Sequence, residues 1–279
     1  MLNDQQRSAV ETTEGPVLVI AGPGTGKTFT LVERIVYLLV DKQVPPEAIM
    51  VTTFTRKAAL ELQTRIAKRL DDRGHPAMLQ DMYLGTLHAV FYRILLRYRK
   101  AAGLPPGCRL LDDFELDYLI FEHLDEFLAI PGAEQLAIDG SSRKEPTRRS
   151  MSQRLVYWLN KLSDESIDRD ALSRSRDPAL QALAAVHDLF SKLLEQRRAI
   201  DFGQIQTRLL RLLEQQPEVL AELQDQIRYL LIDEYQDTST VQEQLIILLA
   251  GDRANVCVVG DDDQAIYRFR GATVQNLID

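Results

Sequence analysis

The sequence predicts an α/β domain built on a parallel β-sheet, with an all-helical block inserted into it. Short apolar runs that read as strands lie at residues 17–21, 49–54, 229–232 and 255–259. Each run is followed by a turn or a polar cluster and then by helix-compatible sequence. Strands that are apolar on both faces and alternate with helices are typical of a parallel sheet.

Helices are predicted directly after the first two strands, at residues 27–40 and 56–70. The second of these segments has an apolar residue at every fourth position, which predicts one apolar stripe along the helix. The stripe consists of Ala58, Leu62, Ile66 and Leu70.

No strand is expected between about residues 97 and 199. Helical segments separated by polar breaks are predicted there, at residues 113–128, 151–162 and 178–196. A helical insertion into an α/β domain is the simplest account. We therefore predict an α/β domain made of residues 1–91 and 201–279, and an inserted helical subdomain at residues 92–200.

Composition narrows the class of protein. The chain has 279 residues, with 33 Lys and Arg against 41 Asp and Glu, for a formal net charge of −8. This balance argues against nucleic-acid binding by bulk charge, although a local basic track could still steer a nucleic acid. No apolar run approaches the roughly 18 residues of a membrane span, and the N-terminus does not resemble a secretion signal. Cys108 and Cys257 fit no metal spacing. A cytoplasmic protein without a membrane partner is expected.

The first predicted strand leads into a glycine-rich loop, residues 21–28 (AGPGTGKT), and then into a helix. Glycines let successive N–H groups face one anion, and the helix N-terminus adds partial positive charge. We expect Lys27 to reach the β- and γ-phosphates of a nucleotide and the Thr28 hydroxyl to hold Mg²⁺. Ala21 stands where the strict pattern has glycine, and an ordinary glycine-rich turn is the alternative. The loop residues predicted to contact the nucleotide are Gly22, Pro23, Gly24, Thr25, Gly26, Lys27 and Thr28.

Two adjacent carboxylates, Asp233 and Glu234, follow the strand at residues 229–232. Open α/β sheets bind ligands at the carboxyl ends of their strands. We expect Asp233 to bind Mg²⁺ and Glu234 to orient and deprotonate a water molecule. The alternative is a solvated acidic turn, which the apolar strand before the pair makes less favourable.

The last predicted strand ends in a polar and aromatic segment, residues 260–272 (GDDDQAIYRFRGA). Gln264 is the neutral group best suited to contact a γ-phosphate. Tyr267 and Phe269 interleave with two arginines, and such an array can stack bases and pair with backbone phosphates. Packing of the aromatic residues in the core is the alternative.

Together these blocks resemble the UvrD/Rep-like DNA helicases of superfamily 1. The resemblance follows the order and spacing of the family motifs over nearly the whole chain. The matching segments are LNDQQ at 2–6, the glycine-rich loop, VTTFTRKAA at 51–59, GTLHA at 85–89, DEYQDT at 233–238 with Gln242, and VGDDDQAIY at 259–267. Arg56 replaces the usual Asn, and Leu87 and Ala89 replace the usual Phe and Ser.

The resemblance implies a RecA-like P-loop NTPase domain that uses ATP and Mg²⁺. It implies that Gln6 reads the adenine edge and that Lys27, Glu234 and Gln264 serve the reaction, with Thr28 and Asp233 on the metal. Phe29 stands where the family often has a basic residue, so we expect it to stack on adenine. The residues implied to face single-stranded DNA are Phe54, Thr55, Arg56, His88, Tyr267, Phe269 and Arg270.

The insertion carries two further features. Asp201 and Phe202 resemble a family pair that precedes a helix, although Gly203 and Gln204 replace its acidic continuation. Basic residues concentrate at Arg143, Lys144, Arg148, Arg149 and Arg154. Because the inserted subdomain of the family lies near the duplex junction, we hypothesise a phosphate contact there; a solvated loop is the alternative.

The resemblance predicts the N-terminal motor portion of a monomeric, ATP-dependent DNA helicase of the 3′-to-5′ type. A second RecA-like domain, which supplies an arginine worth about 10³–10⁵ in rate, would lie beyond residue 279. We therefore expect these 279 residues to bind Mg·ATP, to hydrolyse it slowly and not to unwind DNA. The alternatives are a stand-alone nucleotide-dependent DNA-binding module and the motor of a helicase–nuclease rather than of a repair helicase. A small-molecule P-loop kinase leaves Gln6 and the 53–59 block unexplained.

Overall fold

The computed structural model describes residues 2–76, 79–138 and 145–261. These residues divide into two compact units. The first contains the described parts of 1–94 and 209–279, and the second contains those of 95–208.

Five of the strands form one parallel sheet, in the order β1-β7-β6-β2-β3. The strands are β1 Val17–Ile20, β2 Ile49–Thr53, β3 Tyr83–Thr86, β4 Arg109–Leu110, β5 Ala199–Ile200, β6 Tyr229–Ile232 and β7 Val256–Gly260. The predicted parallel α/β sheet is confirmed, and the four predicted strands fall within a residue or so of β1, β2, β6 and β7. The sequence did not predict β3, a short strand that contains a glycine.

Helices connect the strands and make up most of the second unit. They are α1 Asp4–Glu11, α2 Lys27–Val36, α3 Arg56–Asp72, α4 Leu87–Arg97, α5 Asp113–Glu122, α6 Leu124–Leu128, α7 Ala133–Ala137, α8 Arg148–Asp164, α9 Arg169–Ser173, α10 Pro178–Gln196, α11 Phe202–Gln215, α12 Pro217–Gln226 and α13 Thr240–Ala250. The predicted helix 27–40 ends as α-helix at Val36 and continues as a π-helical turn, Tyr37–Asp41.

The core of the first unit joins the sheet to α2 and α3. Every residue of β2 is buried, as expected for a central strand covered on both faces. The apolar stripe of α3 faces this core, and Leu62, Ile66 and Leu70 are all buried. Its first member was predicted wrongly, because Ala59 and not Ala58 completes the buried row. A spacing of three residues lies on the same helical face as a spacing of four.

A second apolar core lies within residues 95–208, formed mainly by α5, α8 and α10. The predicted helix 113–128 is two helices, because His123 ends α5 and begins α6 with φ −100° and ψ 16°. The expectation of no strand between 97 and 199 was wrong in one detail. The two-residue strands β4 and β5 pair in parallel and bring the two ends of this unit together. Two residues are too few to show a strand periodicity.

Asp201 is a buried carboxyl group at the start of α11. Its Oδ1 accepts a hydrogen bond from the Gln204 backbone N–H at 2.8 Å. Burial raises the pKa of Asp201 from 3.8 to about 6. The stability that comes from keeping this carboxyl protonated is therefore complete below about pH 4 and is lost as the pH rises through about 6.

This shift gives a test by substitution. We expect Asp201→Asn, which keeps an oxygen for the Gln204 N–H, to remove part of the pH dependence of stability. Between about pH 8 and about pH 5, the free energy of unfolding of the parent chain should rise relative to the variant by about 1 kcal/mol. Urea unfolding of both proteins at the two pH values measures this change. A difference between parent and variant that is independent of pH would contradict it.

Within the described ranges, no helix combines the length and the hydropathy that a membrane span needs.

Candidate functional site

The carboxyl ends of the five strands bring most of the predicted site residues to one edge of the sheet. The glycine-rich loop follows β1, and Asp261 follows the neighbouring strand β7. Asp233 and Glu234 follow β6, the next strand in the sheet. Phe54 follows β2, and His88 lies just after β3. Since neighbouring strands are about 4.8 Å apart, the loop and the His88 segment lie at opposite ends of an edge roughly 20 Å long.

Within the loop, only some positions require glycine. Gly24 has φ +74° and Gly26 has φ +94°, conformations that L-residues with a side chain rarely adopt. The Ala21 N–H donates to the Gly260 carbonyl at 3.1 Å, so this residue continues the pairing of β1 with β7. Because its φ is not positive, the alanine that departs from the strict pattern costs the loop nothing in conformation. Gly26 then begins α2, whose first turn carries Lys27 and Thr28.

Gln6 lies against the glycine-rich loop. Its Nε2 donates to the Thr25 carbonyl at 3.2 Å, and its Oε1 accepts from the Asn3 backbone N–H at 3.0 Å. The second bond belongs to a capping box, in which Asn3 Oδ1 accepts from the Gln6 N–H. A Cβ at Gly26 would lie 3.0 Å from Gln6 Nε2. The glycine therefore also makes room for this side chain.

Lys27 forms an ion pair with Asp261. Its Nζ lies 3.2 Å from Asp261 Oδ2, and the two side chains are only 11% and 2% exposed. The sequence indicated three aspartates after β7 but not that the first of them contacts the loop lysine. The pairing offsets part of the cost of burying either charge. The lysine is thus held at the end of β7, beside the loop that would cradle a phosphate.

Asp233 and Glu234 leave the end of β6 in an unusual backbone conformation. Glu234 has φ +52°, and its N–H donates to Asp233 Oδ1 at 3.1 Å. Burial raises the pKa of Asp233 to about 6, the Glu234 charge adds to the rise, and Lys27 opposes it. A divalent cation would stabilise the ionised form of Asp233 against both its burial and the charge of Glu234. This carboxyl is therefore suited to bind a metal ion. Among the described residues, no group of three or more acidic, His or Cys side chains is arranged to hold a metal ion.

A buried glutamine joins the acidic pair to the end of β7. Gln236 is 1% exposed, and its Nε2 donates to Glu234 Oε2 at 2.7 Å. Its Oε1 accepts from the Asp261 backbone N–H at 3.0 Å. Lys27, Asp261, Gln236 and Glu234 therefore form one continuous polar network beneath the loop. The sequence motif contains Gln236, but only its fixed position between two strand ends indicates this role.

Phe29 lies in the first turn of α2 with 41% of its surface exposed. A phenylalanine so exposed, directly after the phosphate loop, is available for stacking on a flat apolar partner. Its position agrees with the expected contact to adenine but does not test it.

Those predicted DNA-facing residues that the structure describes lie at the ends of β2 and β3, which are paired through Thr53 and Thr86. Thr55 is the N-cap of α3, and its hydroxyl accepts from the Ala58 N–H at 3.1 Å. Arg56 is exposed in the first turn of α3. The hydroxyl of Thr55 thus serves the helix, whereas Arg56 extends into solvent beside a helix N-terminus, a favourable place for a phosphate.

Several predicted residues lie outside the described part of the chain: Gln264, Tyr267, Phe269, Arg270, Arg143 and Lys144. Two others of the basic segment are already engaged within the second unit. Arg148 forms a bidentate ion pair with Asp125. The guanidinium of Arg154 lies over the rings of Tyr157 and Trp158, at 4.8 and 5.0 Å.

A parallel sheet whose first strand leads through a glycine-rich loop into a helix defines an α/β domain of the RecA-like P-loop class. Residues 2–279 match the family model described as the UvrD/REP helicase N-terminal domain. The chain belongs to this family.

Curated relatives agree with that assignment. The chain is 34% identical over 278 residues to the ATP-dependent DNA helicase PcrA of Staphylococcus aureus (strain Mu50 / ATCC 700699). It is equally similar to the ATP-dependent DNA helicase PcrA of Staphylococcus epidermidis (strain ATCC 12228 / FDA PCI 1200). Each alignment covers 99% of this chain and 35% of the relative. The chain therefore spans about a third of the length of these relatives.

Proposed function

We propose that this chain is the ATP-binding portion of an ATP-dependent DNA helicase motor that moves 3′ to 5′ on single-stranded DNA. The observation that carries the proposal is the single sheet edge shared by the phosphate loop, the buried acidic pair and the segments after β2 and β3. The family assignment and the PcrA relatives support it. Because the PcrA relatives are about three times as long as the matched segment, the activity, the DNA substrate and the partners of the whole protein are part of the proposal.

In the nucleotide half of this edge, each residue has a role that its position supports. The N–H groups of residues 22–26 and the charge of Lys27 bind the phosphates, and Thr28 and Asp233 hold Mg²⁺. Glu234 orients and deprotonates the water, with Oε2 fixed by Gln236. Gln6 and Phe29 contact the adenine. Gln264 contacts the γ-phosphate by analogy with the family motif.

In the other half, Phe54, Arg56 and His88 contact single-stranded DNA. Phe54 and Arg56 follow β2, which pairs with β6, and His88 follows β3, the next strand beyond β2. A change at the nucleotide can therefore reach the DNA through two adjacent strands. Residues 267–270 and the basic segment at 143–154 extend the same proposal to the DNA strand and the duplex junction. We further propose that the 279-residue chain, acting alone as a monomer, does not separate strands.

The sequence left two other functions open. A stand-alone nucleotide-dependent DNA-binding module would show the same contacts without translocation, and a helicase–nuclease would carry the same motor. No contact in the described residues favours either of them over a simple helicase.

The DNA-facing half is tested by Arg56→Ala. Removing one phosphate contact should lower the slope of log affinity against log salt by about 0.7 for single-stranded DNA. Fluorescence anisotropy with a labelled oligo-dT, in the presence of ADP and Mg²⁺, measures this slope. Lys68→Ala removes an exposed charge further along the same helix and is the matched control. Equal slopes for parent and Arg56→Ala would remove Arg56 from the DNA interface.

A further inference from the structure

Arg34 is a buried arginine that belongs to no recognised motif of the sequence. It lies in α2, seven residues after Lys27, and only 2% of it is exposed. Its Nη1 donates to the carbonyl oxygens of Ala9 and Thr12, both at 2.5 Å. Thr12 is the C-cap of α1, and α1 has no basic residue in its own last turn. Arg34 therefore supplies a cation to the carboxyl end of α1, where helix carbonyls concentrate negative charge.

Burying the Arg34 guanidinium carries a cost in free energy that this contact only partly offsets. Within the described residues, the Nε of Arg34 has no hydrogen-bond acceptor. Burial lowers the pKa of Arg34, although nearby Cys257, Tyr229 and Glu14 oppose the shift. An apolar side chain of similar volume would avoid the desolvation cost of the guanidinium. What the arginine provides instead is direction, because its hydrogen bonds fix one end of α1.

The opposite end of α1 is fixed to the same part of the chain. Gln6 Nε2 donates to the Thr25 carbonyl, immediately before α2, and Gln6 Oε1 is held in the capping box. Helix α1 has eight residues, about 12 Å in length. A helix this short is marginal by itself, so these anchors determine how it lies against the phosphate loop and α2.

We infer that Arg34 is a positioning residue for base selectivity: it fixes the carboxyl end of α1 so that the Gln6 amide is presented to the adenine edge. The inference rests on the proposed contact of Gln6 with adenine. Without Arg34, α1 keeps only its hydrogen bond to Thr25, so the helix, and with it the capping box that holds the Gln6 amide, no longer has one fixed orientation. The phosphate contacts come from residues 22–28, which Arg34 does not touch, so they persist.

The test measures the affinities of the 279-residue chain for Mg·ATP, Mg·GTP and inorganic tripolyphosphate by calorimetry. We expect Arg34→Met to lower the ratio of ATP to GTP affinity by about 10-fold, the value of one well-directed hydrogen bond. Tripolyphosphate affinity should stay within about 2-fold of the parent, since the loop is intact. Arg34→Lys, which restores a buried donor, should recover part of the ratio. Gln6→Ala should match Arg34→Met, and Arg211→Met, at an exposed arginine, should match the parent.

The outcomes separate the inference from the function on which it rests. An unchanged ATP to GTP ratio in Arg34→Met, with a lowered ratio in Gln6→Ala, would overturn the role of Arg34 alone. Equal loss of affinity for all three ligands would also overturn it, as this indicates general loosening of the unit. If the parent binds tripolyphosphate but does not distinguish ATP from GTP, the adenine contact itself fails. Should Arg34→Met not fold, Arg34→Lys carries the test through amide exchange: residues 8–12 should exchange faster than in the parent while the loop amides do not.

Discussion

Replacing Lys27 with alanine is expected to weaken Mg·ATP binding by about 100-fold or more, the effect of truncating one partner of a buried charge contact. Lys27 is the side chain best placed to neutralise the phosphates, at the start of α2 and 11% exposed. Isothermal titration with ATP checks the prediction, and Lys192→Ala, at an exposed lysine of α10, is the control. Unchanged affinity would remove the assignment of the phosphate loop.

The same substitution should destabilise the ligand-free protein, because it leaves the Asp261 carboxylate buried without Lys27. Breaking a buried pair from one side typically costs about 3–5 kcal/mol. The double variant Lys27→Met with Asp261→Asn replaces both charges and should recover most of that loss. Its ATP affinity should remain low. Recovery of affinity together with stability would show that Lys27→Ala acted through folding and not through the phosphates.

The parallel sheet could be predicted because it depends on local signals. The strand at residues 229–232 is uniformly apolar and is followed by two carboxylates, and β6 has those bounds. Strand β3 escaped prediction because Gly85 and Thr86 interrupt its apolar character. The break at His123 depends on how α5 and α6 each pack against the core. The periodicity of apolar residues along the segment does not indicate this packing.

The sequence predicts the residue types of the site and a role for each, but not how the residues are connected. From the motifs, Lys27 is predicted to contact the phosphates and Glu234 the water. The motifs could not show that Asp261 contacts Lys27 across 234 residues of chain, nor that Gln236 joins two strand ends. Such contacts follow from the strand order of the sheet, and the order β1-β7-β6 is a property of tertiary packing. No sequence signal indicated that Arg34 is buried, since a lone arginine in an otherwise apolar helix is ordinarily predicted to lie at the surface.

Glu234→Gln is the second substitution with a large expected effect: hydrolysis should fall by about 10²–10⁴-fold, the usual contribution of a general base. ATP affinity should remain near that of the parent. The amide has the shape of the carboxylate and keeps an oxygen to accept from Gln236 Nε2, so the network at the end of β7 is preserved. What the amide loses is the capacity to take a proton from water. A single-turnover assay, with protein in excess over labelled ATP, separates hydrolysis from binding.

Glu243 provides the matched control for this change. It lies on α13 and accepts a hydrogen bond from the Tyr235 hydroxyl at 2.7 Å, a bond that glutamine can also accept. Glu243→Gln therefore makes the same chemical substitution near the same loop but leaves the acidic pair intact, and its hydrolysis rate should equal that of the parent. If both variants slow hydrolysis equally, the slower rate results from the loss of one negative charge in this region and not from the loss of a general base. If Glu234→Gln retains the parent rate of hydrolysis, the general base must be another residue. Asp233, whose pKa is raised by burial to about 6, is then the next residue to replace.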